Sequence, residues 1–269
     1  IAKGAWLGNM TPPEPTLIPQ SYASAELLAN IAVSKYCDHL PLHRQEQIFK
    51  SRHGVFLTRQ VMADWMIKLG EALNPLIGIM HEKILDSPVV SADETPVKLL
   101  TKDGIRTSSQ SYMWQLSRWG PTPLVIFEHD PTRKKEVAEK LLGGYEGYVQ
   151  IDGYAGYNIL FGDASPRKRV GCMAHVLRKF KDLLKSMDKQ QRPSHSAVKA
   201  IKLIKKLYEI EDVCRGFEPD ARKEYRTGQG SDKIFDKLQQ YIADERQAVS
   251  KDSPYYASLR YADEELPHI

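Results

Sequence analysis

The sequence predicts a mixed α/β domain in the middle of the chain, preceded and followed by helical segments. Three observations carry that prediction. Before residue 86, apolar residues recur at helical spacing. Between residues 88 and 172 the pattern changes to short β-rich runs interrupted by one helical stretch. After Cys172 the three-to-four spacing returns and persists to Ile269.

The elements follow in order. Residues 11–20, TPPEPTLIPQ, hold four prolines in ten, so residues 1–20 read as an extended linker or arm. Residues 21–86 read as helices: SYASAELLANIAVSKYC, then HRQEQIFKS closed by His53-Gly54, then a long helix with Thr58 as its N-cap. A short helix, a glycine turn and a second helix make a helix-turn-helix-like unit, a pattern shared by DNA readers and by ordinary helical packing. Residues 87–190 form the α/β segment. PVVSADETPVKLL is β-rich with Asp93 closing its strand, SYMWQLSRW alternates, and PLVIFEHD is short and apolar. PTRKKEVAEKLLGG is a crossover helix with Val137, Leu141 and Leu142 on one face, ended by Gly143-Gly144. GYVQIDG is a fourth strand ending at Asp152, and RKRVGC a fifth. Met173, Leu177, Phe180, Leu184 and Met187 then mark a helical face, and residues 191–269 form a helical insertion.

Composition bounds the function. At 269 residues and 42% hydrophobic content the chain supports one large domain or two smaller ones. No apolar run approaches a membrane span, and the first residues lack a signal-peptide pattern, so neither a membrane partner nor secretion is expected. Three widely spaced cysteines, odd in number, suit the reducing cytoplasm. No C-x-x-C pair exists, so no zinc is expected in this segment. Net charge is +4, yet residues 167–206 carry 13 Lys/Arg against 2 Asp. That concentration reads as a polyanion footprint or as a solvated helical face.

Two aspartates gain meaning from the strand order. If the crossover returns the chain beside the first strand, the strands ending at Asp93 and Asp152 are parallel neighbours. Neighbouring strands lie about 4.8 Å apart, so their carboxylates then sit side by side at one sheet edge. Carboxylates that close repel, and a hard divalent cation relieves the repulsion. Two such ions activate an attacking oxygen and stabilise a leaving one in phosphodiester chemistry. Taken singly, each aspartate is equally well a turn cap, and Asp152-Gly153 is a strong turn dipeptide.

Four strings, KYCDHLPLHRQEQIF (35–49), SADETPVKLL (91–100), QIDGYAGYNIL (150–160) and CMAHVLRKF (172–180), resemble in order and spacing the insertion-sequence-66 family of DDE transposases. A weaker match continues through ASLRYADEELPHI. The resemblance implies a ribonuclease H-like fold, with Asp93 and Asp152 as the first two metal-binding acids. It also implies Mg²⁺ or Mn²⁺ at a two-metal site, and double-stranded DNA at element ends and target as substrate. A homo-oligomer on that DNA and a nucleoid-associated, cytoplasmic setting follow. Cys172-x-x-His175 is similar to a motif of some other cut-and-paste transposases. His175 there is a candidate catalytic residue, contacting a scissile phosphate or flipped base or orienting a carboxylate, against the plainer reading of a locally satisfied helix-start histidine. Arg167, Lys168, Arg169, Arg178, Lys179 and Lys181 are candidate phosphate contacts. Tyr154 and Tyr157 are expected to pack in the core more than to stack on a base.

The family's third acid lies in a downstream block resembling DNxxxER, which these residues do not contain. The expectation is therefore a truncated catalytic core, inactive by itself. Glu211 is the runner-up third acid, near the buried stripe of its helix, and Glu94 ranks lower because strand alternation turns it away from Asp93. Two other classes share these features: a metal-dependent nuclease of the same fold, and a non-catalytic DNA-binding or assembly module.

Overall fold

A computed structural model describes residues 16–102, 105–120, 122–162 and 164–269. The proline-rich arm lies mostly outside the described residues. The chain divides into two compact units, residues 1–81 and 82–269.

The first unit is helical. α1 (Ala25–Tyr36) is capped by the Ser24 hydroxyl, which accepts from Leu27 N. α2 (Leu42–His53) ends at Gly54, whose φ of 66° is the left-handed conformation a helix stop favours. α3 (Arg59–Leu85) opens where Thr58 Oγ1 accepts from Val61 N, at the N-cap the sequence marks. Leu28, Ile31, Met62 and Trp65 form its core. The buried Gln45 amide of α2 donates to the carbonyls of Ile31 and Leu40, satisfying groups that would otherwise be stranded.

The second unit holds a five-stranded mixed sheet. Its strands are β1 (Val89–Lys102), β2 (Ile105–Arg118), β3 (Leu124–Asp130), β4 (Tyr148–Gln150) and β5 (Lys168–Val170), in the order β3-β2-β1-β4-β5. β1, β2 and β3 form an antiparallel meander, and β4 and β5 run parallel to β1. The crossover helix α4 (Lys135–Leu142) buries Val137, Ala138, Leu141 and Leu142. A 3-10 turn, Ala155–Leu160, follows β4.

Three strand boundaries differ from the sequence expectation, and the first is that β2 begins at Ile105, six residues before SYMWQLSRW. Asp93 does not close β1: the strand pairs with β2 on through Pro96, opposite Tyr112, to Lys102. A proline is tolerated there because β4 pairs only with Val89–Ser91, leaving that flank of β1 open beside Pro96. β4 is three residues long, so Asp152 lies two residues past its end.

Five helices complete the unit: α5 (Met173–Ser186), α6 (Ala197–Cys214), α7 (Pro219–Gly228), α8 (Ser231–Ala248) and α9 (Pro254–Glu265). Val176 and Phe180 of α5 pack with Ile204 of α6, Leu238 and Ile242 of α8, and Leu259 and Ala262 of α9. The segment expected as a helical insertion therefore shares one core with α5. That core fixes α5, and α5 in turn delivers its first turn beside Asp93 of β1 and the end of β4.

Candidate metal centre

The last paired residues of β1 and β4 are Ser91 and Gln150. Asp93 and Asp152 each lie two residues beyond that pair, so the parallel register sets them at the same level on neighbouring chains. Alternation turns Asp93 to one face of β1 and Val90, Ala92 and Glu94 to the other, buried one. His175 enters from the first turn of α5, where its backbone N–H donates to Cys172 O. One ligand atom from each of Asp93, Asp152 and His175 falls within 4.8 Å of the others, and all three residues are half-buried. Thr95, Pro96, Arg178, Lys179 and Asp182 help to line the same cavity of about 320 Å³.

Hydrogen bonds hold the aspartates in place. Asp93 Oδ1 accepts from Glu94 N at 3.0 Å, and Asp152 Oδ1 accepts from Tyr154 N at 3.0 Å. The turn-capping role is thus real for Asp152, and it coexists with membership of the cluster. The Cys172 thiol raises the His175 imidazole above its ordinary value, burial opposing and the charges of Asp93 and Asp152 adding. Burial alone would raise the Cys172 thiol, but His175 and nearby backbone N–H groups outweigh it and hold the thiol low. His175 Nδ1 is buried without a hydrogen-bond partner.

Beneath the centre lies a network the sequence did not reveal. The Glu94 side chain is 0% exposed. Arg133 donates to Glu94 Oε1 through Nε at 2.7 Å and also through Nη2. The Tyr157 hydroxyl donates to Oε2 at 2.5 Å. The Tyr154 ring covers the Arg133 guanidinium at 3.6 Å, its hydroxyl donates to Arg133 O, and Trp114 meets Tyr157 edge-on. Burial pushes Glu94 above the usual carboxylate range, with Tyr157 and Arg133 pulling the other way. Burial and the neighbouring Glu94 charge push the Tyr157 hydroxyl far up.

A second unforeseen contact comes from α9. Gly153 N donates to the Tyr261 hydroxyl at 3.1 Å. Burial, aided by the charges of Glu265 and Asp152, pushes that hydroxyl up to about 12. Glu265 is paired with Arg169 at 2.5 Å.

The expected phosphate contacts divide in two. Arg178 and Lys179 line the cavity, and Lys181 is exposed on the same helix. Arg167 is turned inward to Leu142 O, Arg169 to Glu265, and Lys168 lies over the Tyr148 ring. Glu211 is not brought to the aspartates. Arg226 holds it at 2.6 Å to each oxygen, and it lines a different cavity with Leu207 and Phe235.

A family model described as Transposase IS66 family matches residues 20–269. The chain belongs to that family. The transposase-family chain is 34% identical over 258 residues to the uncharacterized protein y4qI of Sinorhizobium fredii (strain NBRC 101917 / NGR234), covering 91% of this chain and 46% of that protein. It is 29% identical over 266 residues to the uncharacterized protein y4jD of the same strain, covering 94% and 50%. It thus spans about half the length of the curated relatives it matches. No solved structure matches it. Among its described residues, no helix is long and apolar enough to cross a membrane.

Proposed function

We propose that the chain is the metal-binding core of a DNA transposase with a ribonuclease H-like sheet. It acts on phosphodiester bonds at the ends of a mobile element and in target DNA. The observation that carries this reading is the equal register of Asp93 and Asp152 just past the Ser91–Gln150 pair. The strand order and the parallel return of β4 beside β1 support it. The donor set also fits a divalent cation: two carboxylates and an imidazole converge, and one buried imidazole nitrogen has no protein partner.

A divalent ion held there supplies Lewis-acid polarisation of the attacking and leaving oxygens. The chain's own residues do the rest. Asp93 and Asp152 bind the ion, with the backbone N–H groups of Glu94 and Tyr154 fixing their carboxylates. Arg178 and Lys179, on the wall of the cavity, hold the phosphate of the strand to be cut. Glu94, Glu211 and Glu265 are each held by an arginine, so none of the three is free to serve as a third acid.

Mg²⁺ and Mn²⁺ binding, measured by calorimetry on the purified chain, tests the centre. Asp93→Asn and Asp152→Asn are expected to abolish binding while leaving the melting midpoint within a few degrees of wild type. Unchanged binding in both variants would overturn the reading. In a full-length protein containing this segment, a strand-transfer assay separates transposase from nuclease. A transposase joins element end to target, and a nuclease leaves only nicks.

The phosphate role has its own expected result. For duplex DNA, log affinity falls with log salt at a slope of about −0.9 per neutralised phosphate. Arg178→Ala combined with Lys179→Ala should make that slope shallower by about 1–2 and weaken binding to all duplexes alike. A slope equal to wild type would remove both residues from the interface.

A further inference from the structure

We infer that His175 is a protein ligand of the centre alongside Asp93 and Asp152, and that this imidazole among the carboxylates makes the site take Mn²⁺ in preference to Mg²⁺. This rests on the reading of Asp93 and Asp152 as metal ligands.

Geometry is the first support. For metal–ligand bonds of about 2.1 Å, adjacent ligand atoms lie about 3 Å apart and opposite ones about 4.2 Å. The three side chains already present ligand atoms within 4.8 Å of one another, so a small contraction closes the site. Placement is the second support. His175 is fixed on the first turn of α5, and Val176 and Phe180 lock that helix into the helical core. A ligand on such an element is delivered at low entropic cost. The third support is what the ring lacks, since Nδ1 is shut away from solvent and bonded to nothing. Asp182, which also lines the cavity, is paired with Lys185 at 2.8 Å. Among the described residues the cluster contains no glutamate, and Glu94, beside Asp93 in sequence, is spent on Arg133 and Tyr157.

Metal preference follows from donor chemistry. Mg²⁺ favours oxygen donors and gives up water reluctantly, whereas an imidazole suits the later divalent ions. A site with one nitrogen among its ligands therefore moves toward Mn²⁺.

The test uses Mn²⁺ and Mg²⁺ with the complete chain. Bound Mn²⁺ in the wild type should show ¹⁴N coupling from one imidazole in pulsed electron paramagnetic resonance, and His175→Ala should lose it. Mn²⁺ affinity should fall by roughly tenfold or more in His175→Ala, with a smaller fall for Mg²⁺. His175→Asp should recover affinity but shift the Mn²⁺/Mg²⁺ ratio toward Mg²⁺. Absence of ¹⁴N coupling in the wild type, or an unchanged Mn²⁺/Mg²⁺ ratio in His175→Ala, overturns the inference. If that occurs while Asp93→Asn still abolishes binding, the carboxylate reading stands without His175. If the wild type binds no Mn²⁺, or Asp93→Asn and Asp152→Asn bind it normally, both readings fail. Should His175→Ala not fold, the wild-type ¹⁴N signal and the Asp variant decide.

Discussion

Arg133→Ala is expected to destabilise the protein by about 3–5 kcal/mol, because it strands the Glu94 carboxylate with its side chain fully buried. The Arg133 side chain is 38% exposed, whereas that of Glu94 is wholly buried. The large term is the unpaired charge left under the sheet, served only by the Tyr157 hydroxyl. Replacing both partners, as Arg133→Leu with Glu94→Leu, should recover most of the loss, since no charge then remains to be buried. The effect also has a pH signature. Glu94 is held above the ordinary carboxylate range. Such a carboxyl binds more protons folded than unfolded, so its contribution to stability is fullest below the ordinary value and is lost as pH rises through the raised one. Removing Arg133 raises it further and widens that window. The deficit should therefore be smallest in acid and grow toward neutrality. Urea unfolding of the single and double variants across pH checks this. A deficit under about 1 kcal/mol, the usual worth of an exposed ion pair, would place Glu94 in contact with water.

That network explains why only half of the site was legible before the fold was known. Asp93, Asp152 and His175 stand out as candidates because each sits in a short string that carries the family resemblance, and the fold brings the three together. Strand alternation likewise turned Glu94 away from Asp93, and the structure places it on the buried face. Its partner was not legible. Arg133 lies 39 residues away in PTRKK, where three consecutive basic residues look like a solvated helix start. Only the fold brings one of them under the sheet. The strand ends failed for a related reason. IRTSSQ at 105–110 has almost no apolar alternation to mark it, yet the register with β1 carries it as strand. Asp93 reads as the close of the first strand, but β1 runs on through Pro96, where its open flank removes the hydrogen bond a proline would have broken. Local pattern reports what a segment prefers, and pairing decides where the strand ends.

Arg169 shows the same limit with the larger consequence for function, since a basic run places it among the DNA contacts and the fold commits it elsewhere. Arg169→Ala is expected to cost about 3 kcal/mol, the lower end for a broken buried pair. Glu265 is 3% exposed and Arg169 21%, and one Glu265 oxygen is already buried without a partner, so the pair is imperfect before it is broken. The backbone at Gly153 and Gly171 packs closely on Glu265. A Cβ on Gly153 would come within 2.9 Å of its Oε1 and 2.7 Å of the Tyr261 ring, and one on Gly171 within 3.0 Å of its backbone oxygen. Those approaches explain the glycine after Asp152 better than turn chemistry does, because its φ is not positive. α9 rests directly on the Asp152 turn, so losing the pair should loosen the turn and weaken Mn²⁺ binding together with stability. DNA binding should keep its wild-type salt slope, because the guanidinium is spent inside the fold. Thermal melts, Mn²⁺ titration and salt-dependent DNA binding on the one variant separate the roles. A fold of unchanged stability with a slope shallower by about 1 would return Arg169 to the phosphate contacts and leave Glu265 with no need of it.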